Sequence, residues 1–267
     1  MGKFHPHGEH DHRRHDHAHG SDHDHGSDGH SHDHLERDVG DLSGYETGSE
    51  RIVVLQNILG ENDRVAEANR ADLRAHGIRT INLMSSPGAG KTTLLAATLP
   101  RLVERARVGV LEGDIATSID ADRLGDLGAH VALVNTDDGF GGECHLDSVM
   151  VRTGLERLPL ADLDVLVIEN VGNLVCPAEF DVGQDARAMV YAITEGEEKP
   201  LKYPVMFRAV EAIVINKMDL LPHLDFDMDL FRANLARINP TAVTFEVSAR
   251  TGVGLDEWVD WLTPADT

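Results

Sequence analysis

The stretch Ile81-Asn82-Leu83-Met84-Ser85-Ser86-Pro87-Gly88-Ala89-Gly90-Lys91-Thr92-Thr93 decides the fold. An apolar strand pattern runs into a Gly-rich turn, and an amphipathic helical pattern starts as the turn ends. A turn of this kind aims backbone N–H groups at a phosphate chain, and the helix dipole adds to the attraction. Gly88, Ala89, Gly90, Lys91, Thr92 and Thr93 are the predicted cradle. Lys91 is expected to reach the β- and γ-phosphates, and the Thr92 hydroxyl to ligate Mg²⁺. Ser85 stands where the first glycine of such a loop is normally found. The competing reading is a chance Gly/Ser turn, which the strand before, the helix after and the intact Gly-Lys-Thr-Thr argue against.

The strand-turn-helix unit belongs to a longer alternation. Strand patterns cover Arg79–Met84, Val108–Glu112, His130–Asn135, Val165–Glu169, Ala188–Thr194, Ala212–Asn216 and Ala242–Val247. Several are near-continuous apolar runs, as expected for strands covered on both faces. Helical spacing fills most gaps, over Thr92–Arg105, Thr117–Leu127, His145–Arg157, Asp227–Arg237 and Leu255–Leu262. Pro100 is expected to kink the first of these or end it early. Upstream, Ile52, Leu55, Ile58 and Leu59 keep helical spacing, and Val65, Ala68, Asn69 and Leu73 continue it. Gly60 is expected to bend or divide this stretch into two helices, and Gly77 to end the second. The predicted fold is α/β: a mostly parallel, doubly wound P-loop NTPase sheet over residues 50–262, with N-terminal helices.

Charge and composition narrow the function. The 267 residues carry 24 Lys and Arg against 46 Asp and Glu, a net charge of −22, which repels a phosphate backbone and excludes a general nucleic-acid binder. No apolar run approaches the ~18 residues of a membrane span, and the first residues lack the apolar core of a signal peptide. A cytoplasmic protein with no membrane partner is expected. Two cysteines, Cys144 and Cys176, exclude a disulfide framework. Twelve of the sixteen histidines lie between His5 and His34. With almost no apolar residues to offset its ordering entropy, the segment 1–45 is predicted to be a disordered tail. Its imidazoles, among them His15, His17, His19, His23, His25, His30, His32 and His34, are spaced to chelate divalent metal, with binding that weakens below pH ~6.5. The alternatives are a solvating low-complexity segment and a purification tag; the irregular spacing argues against the tag.

Two acids follow strand patterns at the sheet edge where such folds bind ligands. Asp114 and Glu169 are candidates to hold Mg²⁺ or a metal-bound water, and Gly172 to give its N–H to the γ-phosphate. The competing reading for each acid is a helix cap. Asp114 is also the candidate general base. Further on, Asn216-Lys217-Met218-Asp219 follows an apolar strand. A carboxylate at Asp219 can accept from N1–H and the 2-amino group of guanine, donors that adenine lacks. Lys217 can lay its stem along the base face, and Asn216 can tie this loop to the phosphate loop. Ser248 and Ala249 are placed to offer a backbone N–H to guanine O6. With the phosphate loop upstream, this order favours GTP over ATP.

Cys144 and His145 are adjacent, and Cys176 lies four residues beyond Gly172. Thiolate and imidazole together suit Ni²⁺ or Zn²⁺. Taken singly, each also reads as a packing residue or a helix-start residue. Three ligands leave a tetrahedral ion one short, so a symmetric subunit or water is expected to complete the set.

With these residues assembled, the chain resembles the nickel-incorporation GTPases of hydrogenase maturation, the HypB family. The resemblance runs from about residue 50 to 262 and rests on Ser85–Thr93, Glu112-Gly113-Asp114, residues 142–147, 169–177 and 199–204, and Asn216–Asp219. It implies a GTPase of slow intrinsic turnover that dimerises on binding GTP. It implies a nickel or zinc site at the dimer interface, carried onto Cys144, His145 and Cys176. It further implies a partner nickel chaperone and delivery of nickel to the large subunit of a nickel–iron hydrogenase. The histidine tail resembles the family's nickel-storing variant; the cysteine-rich N-terminal motif of other members has no counterpart here. Rival readings are the urease-type nickel chaperone GTPase and a nickel store with incidental nucleotide binding.

Overall fold

The structure is a computed structural model that describes residues 43–113, 118–134, 145–173 and 176–264, with side chains from residue 59 onward except at 118–120 and 176. Helix α1 (Ser43–Ala75) comes first, then β1 (Arg79–Ser85), α2 (Lys91–Leu102), β2 (Val108–Glu112), α3 (Ser118–Gly125) and β3 (His130–Leu133). Next come α4 (Ser148–Leu155), β4 (Val165–Gly172), α5 (Cys176–Glu179), β5 (Ala186–Ala192), α6 (Lys199–Lys202) and α7 (Pro204–Arg208). β6 (Ala212–Asn216), α8 (Met228–Ile238), β7 (Val243–Glu246) and α9 (Leu255–Leu262) complete the series. Residues Thr47–Thr267 form one compact unit.

All seven predicted strands are present. They form one sheet in the order β3-β2-β4-β1-β5-β6-β7, with every neighbouring pair parallel. The apolar runs explain why both faces are covered. Val165 and Val167 of β4 point to the face packed by α2, α3 and α9, while Leu166 and Ile168 point to the face packed by α1 and α4. On that second face, Met189 and Tyr191 of β5 and Ile213 and Ile215 of β6 pack against Phe207 of α7 and Phe231 and Leu235 of α8. From β1 the chain runs to β2 and β3 on one side, returns to β4 beside β1, and then crosses to β5, β6 and β7 on the other, so the ends of β1 and β4 open at a switch point, where doubly wound sheets bind ligands.

Several boundaries differ from expectation. The stretch around Gly60 is one continuous helix, and α1 begins at Ser43, within the expected tail. A single glycine costs a helix only ~1 kcal/mol, too little to divide it against tertiary contacts on the same face. Gly77 does end α1: its N–H donates to Arg74 O, and Ile78 N–H reaches back to Leu73 O. Helix α2 stops at Leu102 rather than Arg105, two residues beyond Pro100. Asp147 caps α4, its carboxylate accepting from Met150 N–H at 2.7 Å, so the helix starts at Ser148 and His145 belongs to the preceding loop. No helix among the described residues is long and apolar enough to cross a membrane.

Candidate nucleotide and metal site

β1 delivers Ser85 and Ser86 to the C-terminal edge of the sheet, and α2 begins at Lys91. Gly90 precedes it at φ 97°, and a Cβ there would lie 2.8 Å from Asn216 Nδ2, so both backbone and space call for glycine. The turn lines a cavity of about 390 Å³ whose other wall is the end of β4, Glu169 to Gly172. Lys91 Nζ donates to Ser85 Oγ at 3.0 Å, so the residue that replaces the usual first glycine holds the lysine at the cavity. Ser86 Oγ bonds Glu195, which also pairs with Lys199 at 3.2 Å and ties this turn to the segment after β5.

Thr92 Oγ1 donates to Glu169 Oε1 at 2.8 Å. Glu169 thus faces the phosphate turn rather than capping a helix. β4 continues three residues past its predicted end, and Gly172 reaches the turn. A Cβ on it would lie 3.3 Å from Pro87 Cα and 3.7 Å from Lys91 Nζ. Glu112 of β2 stands in register with Glu169, and both carboxyls are buried. Reading the sequence missed Glu112 as a site residue; its place at the end of β2 was the available signal. A threonine hydroxyl and a carboxylate within hydrogen-bond distance, at the wall of a phosphate-sized cavity, are hard oxygen donors that suit Mg²⁺. Asp114 lies outside the described residues.

The base-recognition residues form one network. Asn216 Nδ2 donates to Ala89 O at 3.0 Å, linking this loop to the phosphate turn as expected. Lys217 is the only non-glycine residue with positive φ (65°) among those described, and its Nζ donates to Gly88 O at 2.8 Å. That pose stretches the lysine stem from the base loop to the phosphate loop. Asp219 Oδ1 accepts from Ser248 Oγ at 2.7 Å. The two backbone donors expected to meet guanine O6 are engaged within the fold: Ser248 N–H with Val253 O at 3.0 Å and Ala249 N–H with Asn216 Oδ1 at 3.2 Å.

Of the expected metal ligands, His145 is described fully. Its ring is buried and lies 4.0 Å from the Phe180 ring. Phe180 directly follows α5, the helix that Cys176 opens, so the two ligand-bearing segments meet here. The next residue, Leu146, is fully buried, and its N–H donates to Asn170 Oδ1 at 3.0 Å. Leu146 also occupies the space a side chain at Gly113 would need. Both segments are anchored by α1. Asn62 donates to Asp181 O at 2.8 Å and accepts from Ser148 N–H at 2.9 Å. Two turns later, Asn69 Nδ2 donates to Ser148 O at 2.8 Å and Val182 O at 3.3 Å. Cys144 and the tail histidines lie outside the described residues. Among the described residues no three His, Cys, Asp or Glu side chains converge on a metal position.

Residues 79–246 match the family model described as CobW/HypB/UreG, nucleotide-binding domain. The hydrogenase maturation factor HypB of Azotobacter chroococcum mcd 1 is 47% identical over 214 residues, covering 80% of this chain and 69% of the relative. The crystal structure of the hydrogenase maturation factor HypB from Archaeoglobus fulgidus superposes with a TM-score of 0.70 at 38% identity, over 76% of this chain and 98% of that one. HypB from Helicobacter pylori, solved in complex with nickel, gives a TM-score of 0.70 at 30% identity, over 78% of this chain and 99% of that one.

Proposed function

Because the chain belongs to the HypB family of hydrogenase maturation factors, we propose that it is a GTP-hydrolysing nickel metallochaperone. The observation that carries this reading is the end of β4. Glu169 and Gly172 form one wall of the phosphate cavity, and the same stretch of chain leads within four residues to Cys176. A segment that registers the γ-phosphate therefore continues into a metal ligand.

Gly88, Ala89, Gly90, Lys91, Thr92 and Thr93 hold the phosphates. Lys91 neutralises charge that develops on the γ-phosphoryl oxygens as water attacks, held in place by Ser85. Mg²⁺, when bound, supplies further neutralisation of the phosphate oxygens; Thr92 and Glu169 are the residues to hold it, with Asp114 as a third candidate. Asp219 reads the guanine edge, and Ser248 fixes its carboxylate. Cys144, His145 and Cys176 take nickel or zinc. Nickel is the cargo, received with a partner nickel chaperone and passed to the hydrogenase large subunit, with a GTP-favoured homodimer as the working form. The tail histidines hold a reserve of nickel. This work belongs in the cytoplasm.

The γ-phosphate contact at Gly172 fixes the end of β4, Cys176 moves with it, and metal geometry differs between the GTP and GDP states. Linkage then makes the effect reciprocal. Lys91→Ala should abolish GTP hydrolysis and leave the tail's nickel capacity intact; undiminished turnover contradicts the phosphate-loop assignment. Nickel affinity should differ at least about fivefold between the GDP form and the form with a non-hydrolysable GTP analogue. Equal affinities remove the coupling.

A further inference from the structure

We propose that Asn170 is the positioning residue through which the nucleotide state reaches the loop that carries His145, an inference that rests on the coupling read above. Asn170 lies between Glu169 and Gly172, on the cavity wall, and its side chain is buried. A single oxygen, Oδ1, serves two elements. It accepts from Val171 N–H of its own strand at 2.9 Å and from Leu146 N–H at 3.0 Å, across 24 residues of sequence. Its Nδ2 donates to Asn82 Oδ1 at 3.3 Å, on the strand that feeds the phosphate turn. The carboxamide thus joins β1, β4 and the loop before α4.

A shift of the backbone at Val171 and Gly172 toward a γ-phosphate changes the geometry of the Val171 N–H bond to Oδ1. Because Oδ1 also holds Leu146, the carboxamide cannot turn without moving or releasing the Leu146 N–H. A released buried donor is unfavourable, so the loop follows. Leu146 is wedged against Gly113, and the adjoining His145 ring meets Phe180, so the motion changes how His145 faces the segment that begins at Cys176. An aliphatic side chain would fill the same space without an acceptor to share between strand and loop.

The test uses the full chain and titrates Ni²⁺ with GDP or with a non-hydrolysable GTP analogue. It follows the thiolate-to-nickel charge-transfer band, which tail imidazoles do not produce. The unmutated chain should show midpoints differing by at least about fivefold. In Asn170→Ala, with each nucleotide present at saturation, that ratio should fall to within about twofold of unity. A ratio of one in the unmutated chain defeats the coupling itself. A full ratio in both chains defeats only the role of Asn170. As a readout that needs no substitution, amide hydrogen exchange at Leu146 in the metal-free chain should differ between the two nucleotide states. Identical exchange overturns the inference.

Discussion

Gly113→Ala offers a quantitative test of how the loop carrying His145 is seated. A Cβ at Gly113 would lie 2.5 Å from both Cγ and Cδ1 of Leu146 and 2.7 Å from Cδ2. Carbon atoms rest comfortably at about 3.5–4.0 Å, so three contacts are each short by about 1 Å. Gly113 cannot retreat, because its N–H is bonded to Glu169 O at 3.0 Å. Leu146 must therefore move, although it is fully buried among Leu111, Val151 and Ile168. Overpacking of this kind costs about 1–3 kcal/mol. Leu146→Ala alone removes a buried leucine and should cost about 2–5 kcal/mol. In the double variant the clash is gone and the new methyl group partly fills the hole. Its loss should fall short of the sum of the singles by about 1–3 kcal/mol. Urea unfolding of the four proteins at one fixed nucleotide and metal condition measures the cycle. Additivity within about 0.5 kcal/mol would falsify the packing argument.

Asp219→Ala should lower GTP affinity by about a hundredfold or more, because two guanine donors lose their acceptor, while binding of the phosphate chain persists. Competition between GTP and ATP for the variant checks this, and unchanged selectivity for GTP counts against the base assignment. At the opposite edge of the sheet, hydrogen bonds from the Arg107 guanidinium and N–H hold the Asp164 carboxyl down at about 2. A carboxyl depressed in the folded state contributes stability that is complete above its ordinary value near 4 and is lost as pH falls toward 2. Because the pair is partly exposed, solvent screening limits the effect to about 1 kcal/mol or less. Asp164→Asn should remove about that much of the stability lost between pH 4 and pH 2, as read from denaturation midpoints, and an unchanged loss rejects it.

The central strands were legible because parallel strands buried on both faces leave near-continuous apolar runs, whereas the partly exposed edge strands β3 and β7 were legible from their place in the β/α alternation. Thr92, Gly172, Asn216 and Asp219 were legible as candidates because each stands at or just beyond the end of a strand pattern or the start of a helical one, where local sequence fixes position. The misses depend on contacts between distant segments. Glu112 gains its place beside Glu169 only when β2 and β4 are neighbours, and that strand order is not written in either strand. The start of α4 was misjudged because Leu146 keeps helical spacing with Val149 and Met150 beyond it, although Asp147 itself is a good cap. The continuity of α1 through Gly60 owes much to Asn62 and Asn69, whose partners lie 79 to 119 residues away. Asn170 reads as an ordinary polar residue at a strand end until the loop at Leu146 is packed against it.

The two asparagines of α1 have a mechanical corollary. Ser148 and the Asp181–Val182 pair are moored to the same two side chains, so the spans running back toward His145 and Cys176 share a common root. On the coupling proposed above, a displacement arising near the γ-phosphoryl group would be taken up as a change in the gap between two short arms moored to one helix, rather than as a rigid swing of the sheet.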